Sequence, residues 1–144
     1  MLERLVIKNI ALIESADIGF GPGLNILSGE TGSGKSVILD SLNFVLGSKA
    51  DKNMIRYGES EASVRGEFCV APQSAAAEAV RGLDIDCDGE IIITRRYGAD
   101  GRGSIKINGN AVTAGMLKGV SQHLVDVYGQ SEHFALLSEV NQLA

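Results

Sequence analysis

An eight-residue string, GETGSGKS at residues 29–36, constrains the fold of this chain more than any other feature. It matches the pattern G-x-x-x-x-G-K-[ST] at every fixed position, as a phosphate-binding loop does. The apolar run LNIL precedes it, and apolar residues at helical spacing follow it up to Leu46. The string therefore predicts a strand, a glycine-rich loop and a helix in succession, with a nucleotide phosphate bound at the helix N-terminus.

Each residue type in this phosphate loop suits one part of a nucleotide site. The glycines let backbone N–H groups converge on phosphate, the Lys35 ammonium can reach the β- and γ-phosphates, and the Ser36 hydroxyl can ligate Mg²⁺. We therefore expect ATP and Mg²⁺ as cofactors. The alternative is a chance turn in a chain with 18 glycines, but the complete match favours phosphate binding. The predicted nucleotide contacts from this segment are Gly29, Glu30, Thr31, Gly32, Ser33, Gly34, Lys35, Ser36 and Val37.

The rest of the chain mixes strand and helix patterns, which predicts an α/β fold. LERLVIKNI and LIESADIGF alternate like two antiparallel strands, and ASVRGEFCV alternates like a third. We expect a hairpin over 90–112 with a glycine-rich tip, GADGRG, and a tight turn at Asn108-Gly109. The remaining predicted elements are a GPG turn at 21–23, a helix over 36–46 closed by Gly47, a loop with a short turn over 48–62, helices over 75–80 and from Thr113 to Val120, a strand over 123–129 and a final helix.

Length and composition predict one soluble domain. The chain has 144 residues, 44% of them apolar, and no apolar stretch approaches the roughly 20 residues that cross a bilayer. The N-terminus lacks the pattern of a secretory signal, so we expect a cytoplasmic protein. The net charge of -5 argues against a surface that binds nucleic acid everywhere, although a local basic patch remains possible.

The groups that complete nucleotide hydrolysis are not evident in the sequence. A P-loop ATPase also needs an acidic residue at the end of an apolar strand to hold Mg²⁺. Asp126, in HLVDV, is the one approximation, and it is more simply an outward-facing strand residue. We therefore expect this chain to bind ATP without efficient hydrolysis.

The order of two strands, glycine turn, strand, phosphate loop and helix resembles the N-terminal half of an ABC-type ATPase head. More narrowly, the chain is similar to bacterial DNA-repair members of the structural-maintenance-of-chromosomes (SMC) group. The phosphate loop, TRRYGADGRGSIKINGNAV and VDVYGQSEH carry this resemblance, which spans nearly the whole chain. It implies the N-terminal lobe of a P-loop ATPase head, residues 1–144, with mixed β-sheets around the phosphate-loop helix.

The resemblance implies roles for two further residues. Gln130 falls at the glutamine of the Q-loop, where its amide oxygen would coordinate Mg²⁺ or orient the attacking water, so Gln130 joins Lys35 as a catalytic candidate. Arg56 falls where such heads present an arginine near the nucleotide or the DNA-facing surface. Without the resemblance, Gln130 is a solvated turn residue and Arg56 a surface arginine with a packed stem.

The resemblance also implies partners and a cellular role. In such proteins the chain continues into a coiled coil and returns as a C-terminal half-head, and two heads form a homodimer around ATP. The longer protein would act on DNA in double-strand-break repair and recombination, in the nucleoid-associated cytoplasm and without a membrane partner. The chain ends where the coiled coil would begin.

Two alternatives remain open at this stage. The first is a complete small P-loop kinase, with GADGRG and the arginines at 95, 96 and 102 as a basic lid. The second is a non-catalytic lobe for DNA binding or dimerisation. Arg95, Arg96, Arg102 and Lys106 could contact DNA phosphates, but acidic residues at 84, 86, 88 and 90 favour a solvated face.

Overall fold

A computed structural model of the chain describes residues 2–19 and 32–124, and in these ranges it shows an antiparallel sheet with helices. The strands are β1 Leu2–Ile10, β2 Ile13–Gly19, β3 Glu61–Cys69, β4 Glu90–Gly98, β5 Gly103–Ile107 and β6 Asn110–Ala111. They lie in the order β2-β1-β3-β4-β5-β6. The helices are α1 Gly32–Val45, α2 Ala75–Arg81 and α3 over 114–124, with a 3₁₀ turn at Lys52–Met54. The predicted α/β class, the N-terminal strand pair and the later hairpin are confirmed.

Helix α1 packs on one face of this sheet, which we call the inner face. Alternate residues of the central strands are buried there because successive side chains of a strand point to opposite faces. Gly66 of β3 permits close packing here, since a Cβ at this position would lie 3.3 Å from Val45 of α1 and 2.9 Å from the Phe68 ring. Each fully buried large apolar side chain, such as Phe44, contributes about 1.5–3 kcal/mol. This packing fixes the position of α1 on the sheet.

The C-terminus of α1 closes as the sequence predicts. Gly47 adopts φ 115°, its N–H donates to the Phe44 carbonyl at 3.1 Å, and the Ser48 N–H donates to the Asn43 carbonyl at 3.0 Å. These two bonds form a Schellman motif. The helix begins at Gly32, four residues before the predicted start. Apolar spacing could not locate that start because GSGK holds no apolar residue and glycine is a poor helix former.

The loop between α1 and β3 is tied to the turn between β1 and β2. The Ala11 N–H donates to Met54 O at 2.8 Å, and the Arg56 N–H donates to Asn9 O at 2.8 Å. Asp51 caps the 3₁₀ turn through the Asn53 N–H at 2.9 Å. The predicted loop with a short turn of structure is therefore confirmed, and Arg56 lies beside the end of β1.

Helix α3 is longer than the sequence predicts. Thr113 caps it as predicted, since its Oγ1 accepts the Met116 N–H at 3.1 Å. The helix continues through Leu124, where Leu117, Val120 and Leu124 are buried at helical spacing. The strand predicted over 123–129 is therefore wrong at its first two residues. The buried residues recur every three or four positions, as on a helix, and not at every second position, as on a strand. Within residues 2–19 and 32–124, no helix combines the length and the hydropathy that a membrane span requires.

Candidate nucleotide site

The second half of the phosphate loop forms the first turn of α1. Because the helix begins at Gly32, the first backbone N–H groups, those of Gly32, Ser33 and Gly34, have no acceptor one turn earlier in the helix. The first turn contains no acidic residue, so the positive end of the helix dipole is not neutralised from within that turn. Lys35 and Ser36 follow in the same turn. These backbone donors and residue types fit a nucleotide phosphate with Mg²⁺.

The buried face of α1 begins immediately after this turn. The Val37 side chain is buried in the core, as are those of Ile38 and Leu42. The buried Ser41 hydroxyl donates to the Val37 carbonyl at 2.7 Å. Because the Val37 side chain is in the core, its predicted nucleotide contact is restricted to the backbone. The core therefore sets the direction in which the helix N-terminus points.

Arg95 anchors the other end of α1, a role that the sequence analysis missed. Its guanidinium lies 4.4 Å from the centroid of the Phe44 ring and donates to the carbonyls of Phe44 at 2.8 Å and Ser48 at 2.5 Å. Burial lowers the pKa of Arg95 from its ordinary value. The predicted phosphate contact and solvated position are therefore wrong for Arg95. The alternation of a strand could have indicated this position, since Ile91, Ile93 and Arg95 are two residues apart and therefore share the inner face.

The glycine-rich tip of the β4–β5 hairpin is closed by its own hydrogen bonds. The Gly98 N–H donates to Arg102 O at 2.7 Å, and the Arg102 N–H donates to the Asp100 carboxylate at 2.9 Å. The Gly101 N–H donates to Gly98 O at 2.9 Å. A tip closed in this way, with Arg95 engaged at α1, argues against the basic lid that a small kinase would need.

The described structure does not bring the remaining predicted site residues together with the N-terminus of α1. Arg56 is half-exposed on its own loop, and its Nη1 lies 3.5 Å from Glu59 Oε1, so several guanidinium donors stay available. Gly29, Glu30, Thr31, Gln130 and Asp126 lie outside the described residues. Their roles stay predictions.

Comparison with known proteins places the chain among ATPase relatives. It is 39% identical to the DNA repair protein RecN of Halalkalibacterium halodurans, over 100% of this chain and 26% of the relative. It is 38% identical to RecN of Xylella fastidiosa strain Temecula1, over 99% of this chain and 26% of the relative. The chain thus spans about a quarter of the length of these relatives.

A solved structure shares the fold as well. A chain from work on ATP-driven dimerization and DNA-stimulated activation of SMC ATPases superposes with a TM-score of 0.65 and 25% identity, covering 99% of this chain and 96% of that one. This match confirms the predicted SMC-type lobe, and the RecN relatives confirm the resemblance to the DNA-repair branch. The AAA domain family matches residues 4–136, which include the phosphate loop. The chain belongs to the AAA domain family.

Proposed function

We propose that this chain is the ATP-binding lobe of a RecN-like DNA-repair ATPase. The observation that carries the proposal is the start of α1 inside GETGSGKS, on a helix whose C-terminus is held by Gly47 and Arg95. An anion at that N-terminus meets N–H groups that have no acceptor within the helix, together with the positive end of the helix dipole. ATP with Mg²⁺ is the ligand that this sequence pattern fits.

The lobe holds half of a hydrolytic site. Lys35 binds the terminal phosphates, Ser36 binds Mg²⁺, and Gln130 supplies the amide that binds Mg²⁺ or orients the attacking water. Bound Mg²⁺ neutralises charge on the phosphates. Glu30, Thr31 and the neighbouring glycines contribute backbone around the phosphates, and Arg56 lies at the rim.

The other half of the site comes from partners. A C-terminal half-head of the same protein and a second head complete the sandwich around ATP, and the longer protein acts on DNA in the cytoplasm, in repair and recombination. Relatives nearly four times as long support further segments beyond this lobe, and a structural relative from work on ATP-driven dimerization of SMC ATPases supports the paired heads.

Titration with a slowly hydrolysed ATP analogue and Mg²⁺ tests the binding site. The parent chain should saturate, and Lys35→Ala should weaken binding at least tenfold, because it removes the cation on the phosphates. Lys49→Ala, an exposed lysine outside the loop, is the matched control and should bind like the parent. Equal affinity of the parent and Lys35→Ala would refute the proposed site.

Steady-state ATP hydrolysis tests the proposal that this lobe contains only half of a hydrolytic site. We expect turnover near background. Hydrolysis that survives Asp126→Ala but is lost in Lys35→Ala would contradict the claim, because this chain would then contain another catalytic acid.

A further inference from the structure

The outer face of the sheet, opposite α1, contains a groove with a basic lining. The groove has a volume of about 440 Å³ and is lined by side chains from β1, β3, β4 and β5. Its cations are Lys8, Arg65, Arg96 and Lys106. Within the part of the chain that the structure describes, no acidic residue lines it. A concentrated positive charge on a chain with net charge -5 calls for a physical explanation.

Strand register brings these cations together from distant parts of the sequence. One cross-strand row contains Lys8, Ser63, Arg96 and Ser104, and the next contains Val6, Arg65, Thr94 and Lys106. Residues two apart on a strand share a face, so both rows point outward. Neighbouring strands are about 4.8 Å apart, which places the two cations of each row about 10 Å apart. The fold of the sheet therefore assembles four cations into one regular array.

The nearby carboxylates leave the array positive. Arg96 lies 3.6 Å from Glu61 in an exposed pair, which is weak in water. Arg65 lies 3.3 Å from Glu67, whose side chain is 20% exposed and also lies 4.0 Å from Arg4, so two arginines share this carboxylate. Asp17 also lies on this face, where Arg4 binds it. Lys8 and Lys106 have no ion-pair partner among residues 2–19 and 32–124. The acidic residue Glu90 lies four positions before Thr94, about 14 Å along β4.

The remaining polar lining consists of hydroxyl groups. Ser63, Thr94 and Ser104 stand between the cations in the two rows. Lysine, arginine, serine and threonine are the side chains that hydrogen-bond phosphate oxygens on nucleic acid. Among the described residues that line the groove, none has an aromatic side chain on which an unstacked base could lie. This chemistry fits the backbone of a duplex and offers no platform for single-strand bases.

We propose that this outer-face groove binds the sugar-phosphate backbone of double-stranded DNA, without reading sequence. The choice of DNA over other duplexes rests on the proposed function. Four cations that each neutralise one phosphate would make log K fall with log salt at a slope of about -3.6. Binding by the lobe alone is weak and non-sequence-specific, with a Kd of roughly 10⁻⁴–10⁻⁶ M at physiological salt.

The test measures binding of a fluorescent 30-base-pair duplex by the 144-residue chain, without nucleotide, across a salt series. Lys8→Gln/Lys106→Gln should weaken binding roughly tenfold or more at low salt and make the slope shallower by about 2. These lysines suit the test because their loss leaves no carboxylate unpaired. Circular dichroism confirms that the variants fold.

The matched control is Lys49→Gln/Lys118→Gln, which changes net charge equally. Both lysines are exposed, and Lys118 lies beside Gly47 at the C-terminus of α1, on the helix-covered side of the sheet. The control should retain parental affinity and slope. Equal losses in the two double variants, or no duplex binding by the parent at low salt, would overturn the proposal.

Two further arms identify the ligand class and separate this proposal from the nucleotide site. Duplex should bind more tightly than single-stranded DNA of the same length, and poly-glutamate at equal charge should compete poorly. Displacement by poly-glutamate would assign the groove to an acidic protein partner instead. Lys35→Ala should bind duplex like the parent. Failure of the nucleotide titration would therefore not affect the conclusion about the groove, and failure of duplex binding would not affect the conclusion about the nucleotide site.

Discussion

Replacing Arg95 with alanine tests how the sheet holds the C-terminus of α1. The guanidinium donates to two carbonyls at the end of that helix and covers the ring of Phe44, whose side chain is 2% exposed. The substitution removes all of these contacts at once. It changes no other core side chain, so the loss reports the hydrogen bonds of Arg95 together with its packing on Phe44.

The contacts give an expected loss of about 2–3 kcal/mol. A hydrogen bond from a charged donor contributes about 1.5–3 kcal/mol, and the two bonds of Arg95 together count only about 1.5 kcal/mol because neither carbonyl is left without a partner. Phe44 O retains its bond from the Gly47 N–H, and Ser48 is exposed, so water can reach its carbonyl. The cation over an aromatic ring adds about 0.5–1 kcal/mol, and a positive charge at a helix C-terminus adds about 0.5 kcal/mol.

Thermal unfolding by circular dichroism measures this loss. For a chain of this size about 4 °C of Tm corresponds to 1 kcal/mol, so Arg95→Ala should lower Tm by about 8–12 °C. Arg95→Lys keeps the charge but not the planar fork, so it should lose about half as much. Arg95→Ala should also speed hydrogen exchange at the Gly47 and Ser48 amides.

Arg96→Ala is the matched control because the next residue of β4 faces the opposite way. Its one described ion pair, with Glu61 at 3.6 Å, joins two exposed side chains and contributes less than about 1 kcal/mol. Equal, small decreases in Tm for Arg95→Ala and Arg96→Ala would refute the view that Arg95 anchors the helix.

Two further predictions concern backbone strain and pH. Gly89→Ala should lower the free energy of unfolding in urea by about 2–4 kcal/mol, since φ is 110° and a Cβ would lie 2.6 Å from Val70 O. Gly109→Ala is the control: φ is 87° but the space around a Cβ is open, so the loss should be about 1 kcal/mol. The hydrogen bond from Arg4 lowers the pKa of Asp17, so its contribution to stability is present above the unfolded-state pKa and is lost as pH falls through the folded-state pKa. An NMR titration should show the pKa of Asp17 returning toward its ordinary value in Arg4→Gln, and an unchanged pKa would refute this cause.

Local signals in the sequence predicted the elements well where one chemical pattern dominated. Alternating apolar residues predicted β1 and β3, and an isoleucine-rich, β-prone run predicted β4. Gly47 and Thr113 predicted the C-terminus of α1 and the start of α3. The start of α1 failed because glycines carry no apolar period, although the phosphate loop itself was evident as a motif. The strand predicted at 123 failed because apolar residues at 120 and 124 serve a helix.

Contacts between distant segments could not be predicted in this way. The anchor on α1 joins Arg95 to residues some fifty positions earlier, and neither end has an unusual local sequence. The structure supplied the missing information as register, which determines which residues are opposite one another across strands. Residue type alone treated Arg95 and Arg96 as equivalent cations.

The alternation of side chains along β4 separates the two halves of the proposed function. Arg95 faces inward and holds α1, whose N-terminus carries the phosphate loop, whereas Arg96 faces outward into the basic groove. A substitution at Lys8 or Lys106 therefore changes a side chain on the face of the sheet opposite α1. Loss of duplex binding in those variants should leave nucleotide affinity unchanged in the isolated chain, because the two surfaces share a sheet but no side chain. A change in nucleotide affinity would mean that the sheet transmits the substitution through its packed interior, where Gly66 and Val45 leave little room for independent movement.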